Sequence, residues 1–182
     1  MEEIKNFTLS VGKIERWAFL IEYQLKNLNF VEILKKEIKN KVGSMDYKTN
    51  VRGEVTAFNE FINNEILINI LRECIEVTNV LNIPKSFLKD AWGNILKKGG
   101  SVHPHTHPKS TISGVLYLTE NGPGTYFPDF NKTIDEKIGK VVLFGGNVLH
   151  SVPVYNGSKD RYTIAFNFQE IVPWEKEKLI YK

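Results

Sequence analysis

A succession of short apolar runs after about residue 85 constrains the fold of this chain more than any other feature. The runs are rich in Val, Ile, Tyr and Phe, and Gly, Pro and Asn interrupt them at intervals of roughly ten residues. Such spacing is typical of an antiparallel barrel or sandwich. The predicted strands are AWGNILKK, STISGVLYLT, GTYF, KVVLFGG, LHSVPVY and RYTIAFNF.

The first part of the chain, from about Ile14 to Leu81, shows helical periodicity instead. FVEILKKEIKNKV and EFINNEILINILRECIEVTNVL both place apolar residues three and four positions apart. We predict an α+β, mainly β fold whose N-terminal helices pack on the outside of the sheet. Because no linker rich in Pro, Gly or Ser separates the two parts, we predict one domain over 1–182, with helical support at about 1–85 and a β core at about 89–170.

Composition and charge exclude few binding partners, but they bear on the cellular compartment in which the protein is expected. The formal charge of +3 arises from 24 basic and 21 acidic residues that are mostly interleaved, so nucleic acid is not indicated as a partner. Cys74, the single cysteine, cannot form an internal disulfide and is predicted to be a buried packing residue. The sequence contains no recognisable signal peptide or membrane span, which predicts a cytoplasmic protein without a membrane partner.

Three of the four histidines lie in SVHPHTHPKS, at His103, His105 and His107. Side chains two residues apart on a strand point to the same face, so they can converge on one metal ion. The alternative is a polar strand edge or loop where histidine is merely tolerated. His103, between Val102 and Pro104, is predicted to be exposed or to support the site without binding the metal.

His150, the remaining histidine, precedes the turn signal Asn156-Gly157. A hairpin with a two-residue turn there would place His150 opposite Thr163, and Arg161 on the same face as Thr163. A longer loop would change this register.

An arginine that points into the core needs an anion, because a desolvated guanidinium is costly without a partner. That anion is either a ligand or an acidic side chain of the chain itself. Asp160 and Glu136 are the two nearby candidates for a salt bridge with Arg161.

The order H-x-H, distal His, then Arg resembles that of the iron(II) and 2-oxoglutarate-dependent oxygenases. Within that superfamily the chain is most similar to the prolyl-4-hydroxylase-like branch, and especially to small oxygenases of marine cyanophages and their hosts. The resemblance covers about 49–168. The matching stretches are TNVRGEVTAF, HTHPKSTISGVLYL, GPGTYF, EKIGKVVLFGGNVLHSVPVY and DRYTIAFNF.

The resemblance implies a double-stranded β-helix, or jelly roll, that uses Fe(II), 2-oxoglutarate as cosubstrate and O2. It implies hydroxylation of a substrate with release of succinate and CO2, without a catalytic acid or base beyond the metal centre. The implied metal ligands are His105, His107 and His150. The implied 2-oxoglutarate contacts are Arg161, which would pair with the far carboxylate, Tyr117, and more weakly Thr163 and Asn94.

His107 departs from the family pattern, because most relatives carry Asp or Glu there. Either imidazole replaces the carboxylate as a ligand, or His107 does not bind and a water completes the site. The substrate is left open by the sequence, with a prolyl or other peptide residue, or a small molecule, as candidates. Two other classes stay open: a three-histidine cupin-type metalloenzyme that does not use 2-oxoglutarate, and a non-enzymatic β-barrel binding module.

Overall fold

Two antiparallel β-sheets face each other, and two helices cover the outer side of the larger one. The structure is a computed structural model that describes residues 7–11, 18–43, 49–120 and 122–171. The helices are α1 (Val31–Lys41) and α2 (Glu65–Ile75), and short 3-10 turns cover Glu76–Leu81 and Pro128–Phe130. The strands are β1 (Phe7–Val11), β2 (Phe19–Gln24), β3 (Val51–Arg52), β4 (Glu54–Val55), β5 (Ser86–Leu96), β6 (Ser101–His105), β7 (Ile112–Tyr117), β8 (Tyr126–Phe127), β9 (Lys132–Thr133), β10 (Lys140–Gly145), β11 (His150–Val152) and β12 (Arg161–Glu170).

The larger sheet has the order β1-β2-β10-β7-β12-β5-β4, and the smaller sheet has the order β3-β6-β11-β8-β9. Consecutive strands β5 and β6, and also β11 and β12, therefore lie in different sheets. The chain crosses repeatedly from one sheet to the other, as in a jelly roll. Residues far apart in sequence consequently meet in the space between the sheets.

Both helices bury their apolar faces against the outer side of the larger sheet. Asn64 caps α2, since its side chain accepts a hydrogen bond of 3.0 Å from the Leu67 N–H. Ile38 of α1 rests on Gly93 of β5, where a Cβ would lie 2.5 Å from the Ile38 Cγ1 atom. Packing at this distance requires glycine in the strand.

Side chains of the central strands point alternately to the two faces of the larger sheet, one of which packs against the helices while the other faces the smaller sheet. On β5, Ala91 and Ile95 belong to the core under the helices, whereas Trp92 and Asn94 line a cavity between the sheets. On β12, Arg161, Thr163 and Ala165 line the cavity, whereas Ile164 and Phe166 belong to the same core. Phe166 also reaches the cavity lining. The inner face of the larger sheet thus supplies one wall of the site.

The predicted α+β, mainly β fold with a jelly-roll arrangement is confirmed, and α1 and α2 lie where the helical periodicity places them. The part before residue 85, which the sequence predicts as helical support, also contains strands β1 to β4. Strand β2 pairs with β10 inside the larger sheet, and its burial on both faces removes the two-residue alternation that would have revealed it. Of the predicted helical region, residues 14–17 and 44–48 lie outside the described residues.

Within the described ranges, neither helix has the length and apolar character needed to cross a membrane.

Candidate metal centre

Three histidines converge at one end of the cavity between the sheets. His105 ends β6 and His150 begins β11, and the two are direct partners in the smaller sheet. His107 follows two residues after β6, and its N–H donates a hydrogen bond of 2.6 Å to the Gly146 carbonyl. One ligand atom from each of the three lies within 4.8 Å of the others, which is a spacing that a single metal ion can bridge.

Backbone carbonyls orient two of the imidazoles. The Nδ1 atom of His105 lies 2.8 Å from its acceptor, the His103 carbonyl oxygen, and the Nδ1 atom of His150 lies 3.0 Å from the Val148 carbonyl oxygen. A carbonyl only accepts, so each Nδ1 carries the hydrogen and each Nε2 presents a lone pair. This pattern is common among metal-binding histidines, where the bond to the carbonyl fixes the ring and its tautomer.

Burial keeps the three imidazoles neutral. Desolvation lowers the pKa of His107 to about 4, and the charge of His105 and then of Lys89 adds to this effect. Desolvation, with the neighbouring His105, also lowers the pKa of His150 to about 3, and the pKa of His105 is lowered by burial as well. Since metal ions bind the neutral form, the cluster is ready to bind a metal at pH 7. Neutral imidazole suits iron as well as zinc, copper and nickel, so this donor set fits a ferrous ion.

His103 lies outside this cluster, and its side chain is exposed. Val102 pairs with Val152 and His105 pairs with His150, so three steps along β6 match two steps along β11. This β-bulge interrupts the alternation of faces. His103 and His105 therefore do not share a face, although their numbers differ by two.

Gly146 lies against the segment that carries His107. A Cβ at Gly146 would lie 2.0 Å from the Ser110 carbonyl oxygen and 2.7 Å from the His107 carbonyl oxygen. Both contacts are with backbone, so they cannot be relieved by rotating a side chain.

We expect Gly146→Ala to displace His107 and to lower the affinity for Fe(II) by about tenfold, which is the size of effect that supporting residues of metal sites have. The measurement is metal titration, with thermal melting to check the fold. Lys109→Ala, in the same loop but exposed, is the control. Unchanged metal affinity in folded Gly146→Ala would show that the position of His107 does not matter for binding.

The cavity extends from the histidines to a polar end and has a volume of about 60 Å³. Asn94 on β5 and Thr163 on β12 are paired across the larger sheet, with 3.4 Å between Asn94 Nδ2 and Thr163 Oγ1. The Oδ1 atom of Asn94 is buried and has no hydrogen-bond partner among the described residues. A buried acceptor without a partner is costly, so this oxygen favours a ligand group that donates a hydrogen bond. Only the amide Nδ2 of Asn94 can donate to a carboxylate.

Tyr117 lies behind this polar end and does not line the cavity. It is fully buried, and its hydroxyl is 2.6 Å from the Thr125 Oγ1 atom. Thr125 itself lines the cavity. The sequence does not indicate Thr125 as a site residue, although it lies in the GPGTYF stretch. Thr125 precedes a strand of only two residues, which is too short for an alternation of faces to predict the direction of its side chain.

Arg161 lies in the cavity wall and is already paired. Its Nε donates a hydrogen bond of 2.6 Å to Glu136 Oε1, and its Nη2 also contacts that oxygen. The structure therefore shows the salt bridge that the sequence left open, with Glu136 as the partner. Arg161 also lies over the ring of Tyr117, with 5.6 Å between Arg161 Cζ and the ring centroid.

The predicted hairpin around Asn156-Gly157 is wrong. Strand β12 pairs with β5 and β7, whereas β11 pairs with β6 and β8. His150 and Arg161 still line one cavity, because the two sheets that carry them face each other.

A second, wider groove of about 330 Å³ opens on the other side of His105 and His107. Trp92 lines both the inner cavity and this groove. Its ring makes an edge contact with Phe58 at 4.9 Å between centroids and lies 6.2 Å from His107. His105 and His107 therefore line both the inner cavity and the outer groove.

Comparison with known proteins supports the predicted resemblance. A family model for 2OG-Fe(II) oxygenases matches residues 90–133, which run from β5 through β9. That stretch contains His105 and His107, whereas His150 and Arg161 lie beyond it. No curated protein matches the sequence.

Solved structures with the same fold have low sequence identity to this chain, as three of them illustrate. The viral collagen prolyl hydroxylase of Paramecium bursaria Chlorella virus-1, in complex with 2-oxoglutarate, is 18% identical with a TM-score of 0.62, covering 92% of this chain and 97% of that one. A prolyl-4-hydroxylase of Pseudomonas putida is 15% identical with a TM-score of 0.59, covering 84% and 93%. HygX of Streptomyces hygroscopicus, with nickel and 2-oxoglutarate bound, is 11% identical with a TM-score of 0.62, covering 83% and 82%. The predicted resemblance to the 2OG-Fe(II) oxygenases and their double-stranded β-helix is confirmed.

Proposed function

We infer that this chain, which shares a family-model match and a fold with the 2OG-Fe(II) oxygenases, is an iron(II)- and 2-oxoglutarate-dependent oxygenase. It hydroxylates a substrate and releases succinate and CO2. One observation carries the proposal: three neutral imidazoles converge at one end of a cavity whose other end holds a buried arginine.

His105, His107 and His150 hold the metal in this proposal. Bound iron would supply the activation of O2 and the oxidative decarboxylation of 2-oxoglutarate. The aromatic rings of Phe144 and Phe127 lie 4.6 Å and 5.9 Å from the His150 ring, centroid to centroid, and shield it from water. The neighbouring carbonyls keep the Nε2 lone pairs of His105 and His150 available for the metal.

His107 takes the place of the carboxylate that most relatives carry. With neutral imidazoles, the charges of Arg161 and Glu136 cancel, so the residues of the site carry no net charge. The two positive charges of Fe(II) then balance the two negative charges of 2-oxoglutarate. A neutral ligand set therefore remains compatible with a dianionic cosubstrate.

The polar end of the cavity binds the far carboxylate of 2-oxoglutarate. Arg161 supplies charged donors, and Thr163, Asn94 and Thr125 supply hydroxyl and amide groups that line the same space. Tyr117 orients Thr125 through their hydrogen bond. Burial of this end excludes water, which strengthens each polar contact.

The substrate approaches from the outer groove. Trp92 offers an apolar surface beside His107, and the groove wall also contains Lys89, Asp90 and Lys109. Such a mixed wall suits an extended peptide, with a prolyl or other side chain placed near the metal, or a small molecule. A peptide is the favoured substrate because two of the structural relatives are prolyl hydroxylases by name. We also propose that the chain is related to the small oxygenases of marine cyanophages, and this proposal rests on the sequence motifs alone.

A three-histidine metalloenzyme that does not use 2-oxoglutarate is the second candidate. The Arg161–Glu136 pair favours it, because an arginine that already has an internal anion does not require an anionic ligand. In that case the polar end would bind the substrate itself.

Turnover of 2-oxoglutarate separates the two candidates. We expect protein loaded with Fe(II) to convert 2-oxoglutarate to succinate slowly alone and faster with a suitable peptide, measured by succinate formation. Under anaerobic conditions the same mixture should develop the weak visible band of a metal-chelated 2-oxo acid. Metal-loaded protein with neither the band nor any 2-oxoglutarate affinity by calorimetry would favour the second candidate.

A further inference from the structure

Glu136 forms a buried ion pair with Arg161, and the proposed chemistry assigns Glu136 no contact with iron or with 2-oxoglutarate. Glu136 lies in the loop between β9 and β10, and Arg161 begins β12. The exposed fraction of the side chain is 3% for Arg161 and 0% for Glu136. A pair this deeply buried is not a surface contact that solvent weakens.

Glu136 occupies one edge of the guanidinium and leaves the other edge open. A single oxygen, Oε1, contacts both Nε and Nη2 of Arg161. In the described part of the chain, no hydrogen bond reaches Nη1. Arg161 lines the cavity and Glu136 does not, so the carboxylate holds the arginine from behind. The Nη1–Nη2 edge is therefore available for a bidentate contact with a carboxylate in the cavity.

The second oxygen of Glu136 has no hydrogen-bond partner within the described residues and is buried. It lies against Gly122, where a Cβ would approach Glu136 Oε2 to 1.9 Å and Arg161 Cδ to 3.2 Å. Gly122 thus closes the back of the pair. A buried oxygen without a hydrogen-bond partner is costly, so burial of Glu136 at this position is not explained by the hydrogen bonds of its own carboxylate.

Two carboxylates then share one guanidinium whenever a dicarboxylate enters the cavity. The positive charge of Arg161 is already balanced, and the incoming carboxylate is repelled by Glu136 in surroundings that screen charge poorly. The net attraction for that carboxylate is smaller than a free arginine would give.

We propose that Glu136 is a positioning residue that fixes Arg161 in the cavity wall and weakens the binding of the far carboxylate of 2-oxoglutarate. The proposal rests on the proposed function. It makes Glu136 a determinant of how strongly the site prefers dicarboxylates, and of how readily succinate leaves.

Glu136→Gln tests the proposal, because an amide oxygen still accepts from Arg161 Nε while the negative charge is lost. We expect iron-loaded Glu136→Gln to bind 2-oxoglutarate about tenfold more tightly than the parent, in calorimetric titrations under anaerobic conditions. Succinate should bind more tightly by a similar factor, since it has an equivalent far carboxylate. Binding of 2-oxobutyrate, a 2-oxo acid without that carboxylate, should not change.

Glu136→Ala removes the acceptor as well as the charge, so it should bind 2-oxoglutarate less tightly than Glu136→Gln. The parent protein offers a test that needs no variant: 2-oxoglutarate should bind less than about tenfold more tightly than 2-oxobutyrate, below what one charged hydrogen-bonded pair usually contributes. A preference above about tenfold would overturn the proposal. So would a folded, iron-loaded Glu136→Gln protein whose 2-oxoglutarate affinity is unchanged or weaker.

These outcomes are separate from failure of the proposed function. Iron-loaded parent protein that binds neither 2-oxoglutarate nor succinate contradicts the function itself. Parent protein that binds 2-oxoglutarate through Arg161, with no response to Glu136→Gln, contradicts only the role of Glu136.

Discussion

Replacement of His150 by alanine should abolish iron binding and turnover together. His150 is only 5% exposed, its tautomer is set by the Val148 carbonyl, and it is the direct strand partner of His105. Removing one of three ligands leaves two donors and an apolar gap. We expect the affinity for Fe(II) to fall more than about a hundredfold, above the effect of losing a supporting residue. Metal titration and succinate formation on the same protein measure both effects.

His105→Ala should behave in the same way, and His107→Ala should lose a smaller but measurable part of the metal affinity. His103→Ala is the matched control, because this exposed histidine lies on the same strand and outside the cluster. A site emptied by His103→Ala but filled in His107→Ala would mean that the ligand set is assigned wrongly.

Replacement of Arg161 by alanine should weaken 2-oxoglutarate binding by about one to two orders of magnitude, because it removes the charged hydrogen bonds and leaves Glu136 to repel the far carboxylate without compensation. Arg161→Lys keeps the charge but loses the planar fork, so its affinity should be intermediate. Iron affinity should hardly change, because the arginine lies at the other end of the cavity from the histidines. Unchanged 2-oxoglutarate affinity in folded, iron-loaded Arg161→Ala would contradict the assignment.

The same variant should also lose stability. From the sequence, Arg161→Ala should keep or gain stability if the anion is a ligand, and should lose stability if the anion is an acidic side chain. The structure selects the second outcome, because the variant leaves Glu136 buried without its partner. Breaking a buried ion pair costs about 3–5 kcal/mol in the free energy of unfolding.

The double variant Arg161→Ala, Glu136→Gln provides the control for stability. It removes both charges, so thermal melting should show recovery of much of the lost stability, while 2-oxoglutarate binding stays weak. Recovery of both properties would mean that Arg161 acts only as the partner of Glu136.

The sequence determined the features that depend on local spacing. Helical periodicity located α1 and α2, and the short apolar runs AWGNILKK and RYTIAFNF located β5 and β12. The order of the histidines and the arginine indicated the resemblance to the 2OG-Fe(II) oxygenases. These signals survive without coordinates because each arises from neighbours along one element.

Tertiary structure decided everything that depends on which strands meet. The β-bulge in β6 turned His103 out of the site, and the placement of β11 and β12 in different sheets replaced a hairpin by two facing walls. Glu136 became the partner of Arg161 only because the loop before β10 passes behind β12. Local spacing specifies the face of a side chain only while the alternation is unbroken, and it carries no information on pairing across a sandwich, which long-range packing sets.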